Sequence, residues 1–256
     1  MNSSLTHKLD LLYVLLRTGF RLRYNDSLLG VLWVVIRPLI NFVVLYLVFS
    51  FFVNREIENF QVYLFSGLII YNYFSESVLS GAGSLLGMAH IILKVQFPKE
   101  IAVLSTQGLA VISLVINLGI LSVFAYVSGV NTNPMAILYF LFIMVVLTTI
   151  TYGISLFTSV MSVRLRDVKN LIEVFLQIGF YLSPIIYPLD IVPLPFRTVI
   201  QYNPMTIIIQ AARDAIANGN IIYVNHMMVL LGLGIFMIGA GTLFFNKMVK
   251  KVAEYY

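Results

Sequence analysis

From Ile101 to Val163 the chain carries no Asp, Glu, Lys or Arg, and the polar turn Ser128-Gly129-Val130-Asn131-Thr132-Asn133-Pro134 divides that stretch in two. Each half exceeds the ~20 apolar residues that a helix needs to cross a bilayer. The same spacing of apolar blocks between charged or Pro-rich breaks predicts six spans over the whole chain, at 31–53, 60–87, 101–127, 135–163, 171–187 and 225–246. A membrane offers no partner for backbone N–H and C=O groups, so each block must satisfy its own as a helix, and the expected fold class is all-α. The fifth block is short and runs into Pro184 and Pro188, an ending that needs cover from protein or a cavity. Ahead of the spans, Leu5, Leu9, Leu12, Leu16 and Phe20 share one helical face at 100° per residue, with Asp10, Arg17 and Arg21 clustered beside it. That pattern describes an amphipathic helix lying in the membrane interface, the other possibility being a helix packed on a partner's soluble surface. It is not a signal peptide: its apolar run, Leu11 to Leu16, ends at Arg17 with no small-residue cleavage site after it.

Composition narrows the class. Hydrophobic residues make up 60% and charged residues 11% of the 256, and the mean hydropathy is +0.94, which excludes an ordinary soluble domain. Spans and short connections use up the chain, giving one transmembrane domain over 1–256 and no separate catalytic domain. The absence of cysteine excludes disulfides and thiolate metal sites. The net charge of +5 comes from loops that suit an anionic leaflet, not from a nucleic-acid surface. Lys8, Arg17, Arg21, Arg23, Lys94, Lys99, Arg164, Arg166, Lys169, Lys247, Lys250 and Lys251 fall on one side of the predicted spans; Arg55, Arg197 and Arg213 fall on the other, and Arg37 lies inside the first span. That bias places both termini in the cytoplasm.

Chemistry is sparse. There is no G-x-x-x-x-G-K-[ST] loop, so the chain holds no nucleotide in that way, and no H-E-x-x-H or G-x-S-x-G. The three histidines, His7, His90 and His226, stand apart from one another near span ends. Gly83 and Gly87, and the run Gly232, Gly234, Gly239 and Gly241, have spacings that let helices approach closely. Ionisable groups in apolar spans are functional candidates, here Arg37, Glu76 and Glu173; Arg37 and Glu173 sit near enough to the cytoplasmic end to snorkel, whereas Glu76 is deeper. Tyr71, Tyr73 and Phe74 lie mid-span, where an interfacial aromatic belt does not explain tyrosine, and phenols along a pore suit sugar rings and hydroxyls. Residues 88–100 form a short basic connection on the cytoplasmic side, suited to docking. Residues 188–224 hold Pro193, Pro195 and Pro204 and a stretch, Met205 to Ala217, apolar enough to re-enter the membrane face as short helices.

In order, Leu29-Gly30-x-x-Trp33-x-x-x-x-Pro38, Phe97-Pro98-Lys99-Glu100, Arg166-Asp167-Val168-Lys169-Asn170, Ser183-Pro184-Ile185-Ile186-Tyr187 and Asn203-Pro204 resemble the permease subunit of polysaccharide-exporting ABC transporters, most like the O-antigen exporters of the Wzm type. The resemblance covers nearly the whole chain. It implies a homodimer in the bacterial inner membrane, bound to two copies of a cytoplasmic ATPase that supply ATP and Mg; this chain itself carries no cofactor and no catalytic or metal site. The same resemblance implies an ATPase-coupling segment at His90, Lys94, Gln96, Phe97, Pro98, Lys99 and Glu100, and an interfacial helix near Leu5–Tyr24. An undecaprenyl-diphosphate-linked polysaccharide would place its diphosphate near Arg17, Arg21, Arg23 and Arg37. Its glycan would pass Trp33, Tyr71, Tyr73, Phe74, Glu76 and Tyr181 toward an external gate with Pro184, Tyr187, Pro193, Pro195, Asn203 and Pro204. Capsule and teichoic acid exporter permeases are close alternatives. A proton-coupled secondary transporter using Glu76, or a membrane enzyme of glycan assembly, are competing classes.

Overall fold

A computed structural model of the chain describes residues 2–24, 29–53, 57, 59–92, 97–130, 133–165 and 167–249. Among them the protein is helical, with no strand, as the apolar blocks require. The helices are α1 (Asn2–Tyr24), α2 (Trp33–Val53) entered through a 3₁₀ turn at Gly30–Leu32, α3 (Phe60–Gly87), α4 (Ala89–Ile92), α5 (Glu100–Val127), α6 (Pro134–Arg164), α7 (Asp167–Tyr181), α8 (Leu194–Gln201), α9 (Pro204–Arg213) and α10 (Val224–Met248). Gly30 has φ +47°, a left-handed turn that a side chain would strain, and it sets the direction in which α2 starts. Asn133 and Asn203 cap α6 and α9 by accepting from the N–H groups of Met135 and Met205, each at 3.0 Å, with Pro at the first helical position.

Four stretches are long and apolar enough to cross a membrane: Gly30–Phe51, Glu100–Val127, Pro134–Arg164 and Val224–Met248. Two expected spans differ from these in instructive ways. The block at 60–87 forms a helix of 28 residues, but Tyr71, Asn72, Tyr73, Ser75, Glu76 and Ser77 make it more polar than the four. Those residues are tolerated because α3 is the hub, packed against α2, α5, α6, α7 and α9 and buried along most of its length. The block at 171–187 becomes α7, which ends at Tyr181. At 1.5 Å per residue its 15 residues span about 22 Å, short of the ~30 Å hydrocarbon layer. Ser183-Pro184 causes the early stop, since proline disfavours helical backbone in the residue before it.

The core lies where α3 meets α6, with Phe60, Leu64, Phe65, Leu68 and Ile70 facing Ile143 and Leu147, all fully buried. α10 lies along α6 on glycines. A methyl at Gly153 would sit 2.7 Å from the Met237 Cβ and 3.1 Å from the Ile238 nitrogen, and one at Gly241 would sit 3.1 Å from the Leu156 Cβ. Close approach therefore explains Gly241 and its neighbour Gly234, which faces Thr149. It does not explain Gly83, Gly87, Gly232 or Gly239. Gly87, Gly232 and Gly239 meet no atom within 4 Å, and Gly83 faces only the Lys169 side chain.

Between α3, α5 and α6 the interior is polar and cross-linked through Gln107. Gln107 donates to the Ser77 carbonyl at 2.9 Å and to Ser155 Oγ at 2.8 Å, and Thr151 donates to Gln107 Oε1 at 3.3 Å. α1 rests on α5, with Leu16 over Gly108 and Leu109 over Gly19. The seat of α1 runs through Leu15, Leu16 and Gly19, while Leu9, on the face expected to be apolar, is exposed.

Candidate functional site

Charged side chains gather at two places along α3. In its C-terminal half Glu76 pairs with Arg23 from the end of α1 and accepts from Ser113 Oγ at 3.4 Å. This ion pair borders a cavity of about 300 Å³ lined by Trp33, Arg37, Asn72, Tyr73, Glu76 and Arg23, with Ser113 and Asn117 from α5 completing the wall. The polar residues of α3, the turn into α2 and the tail of α1 thus converge at one place. Asn117 is 9% exposed and spends its Nδ2 on the Ser113 carbonyl at 2.8 Å; its Oδ1 is buried with no partner. Two guanidinium groups against one carboxylate leave the cavity with a surplus positive charge.

The residues expected to line one path are divided between two cavities. Arg23, Arg37, Trp33, Tyr73 and Glu76 gather in the first. Tyr71 and Tyr181 line a second, of about 440 Å³, together with Asn41, Ser75, Glu173 and Phe180. Asn72 lines both, so the two spaces lie on either side of one turn of α3. Tyr71 donates to the Leu176 carbonyl at 2.5 Å and meets Phe74 and Phe180 edge-on; Tyr73 shares a 2.8 Å hydrogen bond with Thr148. These phenols tie α3 to α7 and α6 as well as facing open space. Arg17 and Arg21 are exposed on α1 and line neither cavity. Gly83 and Gly87 line a third cleft of about 450 Å³ with Arg23, Glu76 and Lys169, which accounts for their lack of packing partners.

Of the expected docking segment, Lys94 and Gln96 lie outside the described residues, as does the His90 side chain. Residues 89–92 form the single turn α4, and Phe97 packs against the cluster of Leu85, Ala102, Val103, Leu156, Val160 and Phe245. Pro98 is exposed, Lys99 donates to the Val249 carbonyl at 3.2 Å, and Glu100 opens α5. The segment is therefore anchored to the end of α10 and continuous with α5.

At the N-terminal end of α3 the sequence hid the main feature. Arg213, which the charge bias between the two sides places on the external side, is buried and is held by main-chain oxygens. It donates to the carbonyls of Tyr63 at 3.0 Å, Pro184 at 2.6 Å and Ile185 at 2.5 Å, with its Cζ 3.6 Å from the centre of the Tyr63 ring. Burial lowers its pKa, since desolvation opposes the charge. Gly67 makes room, because a side chain there would run into the guanidinium. The one signal available in sequence was a single cation in the apolar stretch Met205 to Ala217. Around it, the Tyr63 hydroxyl donates to the Tyr187 carbonyl at 3.1 Å, the Tyr187 hydroxyl to the Tyr181 carbonyl at 2.9 Å, and Asn203 Nδ2 to Ser183 Oγ at 3.4 Å. Pro193 precedes α8, Pro195 lies in its first turn, and Pro204 opens α9. Of the residues expected at a gate, Pro184, Tyr187 and Asn203 therefore belong to one hydrogen-bonded cap around Arg213, while Pro193, Pro195 and Pro204 stand at the starts of α8 and α9. No group of His, Asp and Glu able to hold a metal occurs among the described residues.

Comparison with known proteins agrees with this architecture. The profile of the ABC-2 type transporter family matches residues 10–217. An O-antigen export system permease protein RfbA of Klebsiella pneumoniae is 29% identical over 254 residues, covering 99% of this chain and 98% of the relative. One from Myxococcus xanthus is 23% identical, covering 95% and 94%, and the polysialic acid transport protein KpsM of Escherichia coli is 20% identical, covering 78% and 79%. The chain belongs to the ABC-2 type transporter family, whose multi-pass membrane permeases are not enzymes themselves and work with a cytoplasmic ABC ATPase.

Proposed function

We propose that the chain is the channel-forming subunit of an exporter for a lipid-linked polysaccharide of the O-antigen type. It acts as a homodimer of six spans per subunit in the bacterial inner membrane, with both termini in the cytoplasm and two copies of an ATPase docked at residues 88–100. The observation that carries the reading is the first cavity. Arg23 and Arg37 present donors suited to a diphosphate, while Trp33, Tyr73 and Asn72 present the apolar and polar surfaces that the first sugars of a glycan need. The names of the Klebsiella and Myxococcus relatives support O-antigen as the cargo class, and KpsM supports a capsule polysaccharide as the second choice. Proton coupling through Glu76 is disfavoured, because that carboxylate is engaged by Arg23.

The test replaces Arg23 and Arg37 together with Gln in cells whose surface polysaccharide depends on this chain. Surface polysaccharide should fall at least tenfold and lipid-linked glycan should accumulate inside, with the amount of membrane-inserted permease unchanged. Normal export by that variant would refute the assignment of the cavity.

A further inference from the structure

The cap at the N-terminal end of α3 contains a cleft of about 460 Å³ that differs from the first cavity in its chemistry. Its volume falls in the range of about 300–1,000 Å³ typical of small-ligand sites. Its charges balance: Asp190, Asp214, Arg197 and Arg213 all line it. Each has a local counterpart, Arg197 donating to Asp190 at 2.6 Å, Asn218 to Asp214 at 2.7 Å, and Arg213 to the backbone carbonyls. An anion such as a diphosphate would meet two carboxylates there and no free cationic surplus. The amides of Gln201, Gln210 and Asn218 and the phenols of Tyr63 and Tyr223 complete the wall, so that planar groups able to donate and accept alternate with aromatic rings. That combination matches the hydroxyls and C–H faces of a neutral sugar.

Two backbone irregularities aim these groups at the cleft. Asp214–Asn218 is a π-helical turn, a form concentrated at functional sites, and it closes on Gly219 at φ +66°. Tyr223 has φ +61°, costly for an aromatic residue, and this conformation brings its hydroxyl to 3.3 Å from Gln210 Oε1. Neither device is needed to start α10 or end α9, which glycine and an ordinary cap would do.

We infer that this cleft is an oligosaccharide-binding site, built to hold the glycan after it has passed the membrane; the inference rests on the export reading above. The site takes uncharged sugar hydroxyls and has no role for the lipid or its diphosphate.

The experiment uses the full chain in lipid nanodiscs and, as probe, the lipid-free oligosaccharide released by mild acid from the surface polysaccharide of the cells that carry it. Saturation-transfer NMR should show sugar protons receiving magnetisation from the protein. In a Gln210→Ala/Asp214→Ala variant the signal should fall at least fivefold, and excess inorganic diphosphate should leave the wild-type signal unchanged. Asn218→Ala, which leaves Asp214 and Gln210 in place, should reduce the signal about threefold and decides the matter if the double variant fails to fold. No transfer to the wild type, equal transfer to the variants, or competition by diphosphate would each overturn the inference. Failure of the export reading shows itself separately, as normal surface polysaccharide in the Arg23→Gln/Arg37→Gln cells.

Discussion

Replacing Arg213 with Met tests whether a buried cation holds the cap together. In the native protein the guanidinium is the donor for the Pro184 and Ile185 carbonyls, at 2.6 and 2.5 Å, in the non-helical stretch after α7, and it adds a third bond to Tyr63. Methionine fills similar volume but donates nothing. A buried carbonyl left without a donor costs ~1–3 kcal/mol, so two of them cost roughly 2–6 kcal/mol. Part of this is returned, because the variant no longer buries a charge. The Tyr63 carbonyl matters less, since Ser66 Oγ also donates to it at 3.0 Å. A net loss of about 1–4 kcal/mol remains, which for a chain of this size corresponds to a fall in melting temperature of roughly 2–15 °C. The assay is thermal unfolding of purified permease in detergent, followed by size-exclusion recovery. Arg213→Lys should fall between the two, because an ammonium cannot span all three carbonyls or cover the Tyr63 ring as a planar group does. A melting point for Arg213→Met within about 1 °C of the wild type would refute the argument, since even ~1 kcal/mol shifts the midpoint by about 2–4 °C. It would mean that the carbonyls find water and that the cap does not depend on the arginine.

Gly153→Ala should destabilise the protein by about 1–3 kcal/mol, because its methyl meets the Met237 Cβ and the Ile238 backbone with no room to yield. Gly87→Ala, with nothing within 4 Å, should be neutral or stabilising by up to about 1 kcal/mol, as alanine favours a helix; paired thermal unfolding of the two variants checks the contrast. Gln107→Leu removes the bonds from α5 to Ser77, Ser155 and Thr151 and should cost about 1–2 kcal/mol, measured in the same way, on the scale of hydrogen bonds between helices in a membrane.

The helices were legible because lipid enforces one rule, and apolar length alone located the four stretches that qualify as crossings. α7 was overextended because its apolar residues continue through Ile185 and Ile186, and only the backbone restriction imposed by Pro184 ends it at Tyr181. The glycines were ambiguous for a different reason. Spacing says which glycines share a face, but Gly153, absent from the sequence argument, packs on α10, whereas Gly83 and Gly87 line a cleft. Of the residues proposed to meet the lipid diphosphate, Arg23 and Arg37 meet in one cavity and Arg17 and Arg21 do not line it, because only the end of α1 reaches the cavity. Arg213 was out of reach because its partners are backbone carbonyls, which no residue pattern records.

The polarity of α3 is the physical cause of the site. A helix that met lipid on its outer face could not carry Asn72, Ser75, Glu76 and Ser77 in successive turns, whereas one enclosed by five others can turn those groups toward internal space. The helix also fixes the distance between the two chemistries it supports. Tyr63 in the sugar-type cleft and Glu76 at the cationic cavity are thirteen residues apart, which at 1.5 Å per residue is about 20 Å along the axis. A glycan whose diphosphate rests against Arg23 and Arg37 must extend past that length before its far end reaches Asp214 and Gln210. On the export reading, the two sites of one subunit would engage different parts of a polymer, and a substrate of one or two sugars could not occupy both. The charges suit that order, with two arginines against one carboxylate at the first cavity and two against two at the second.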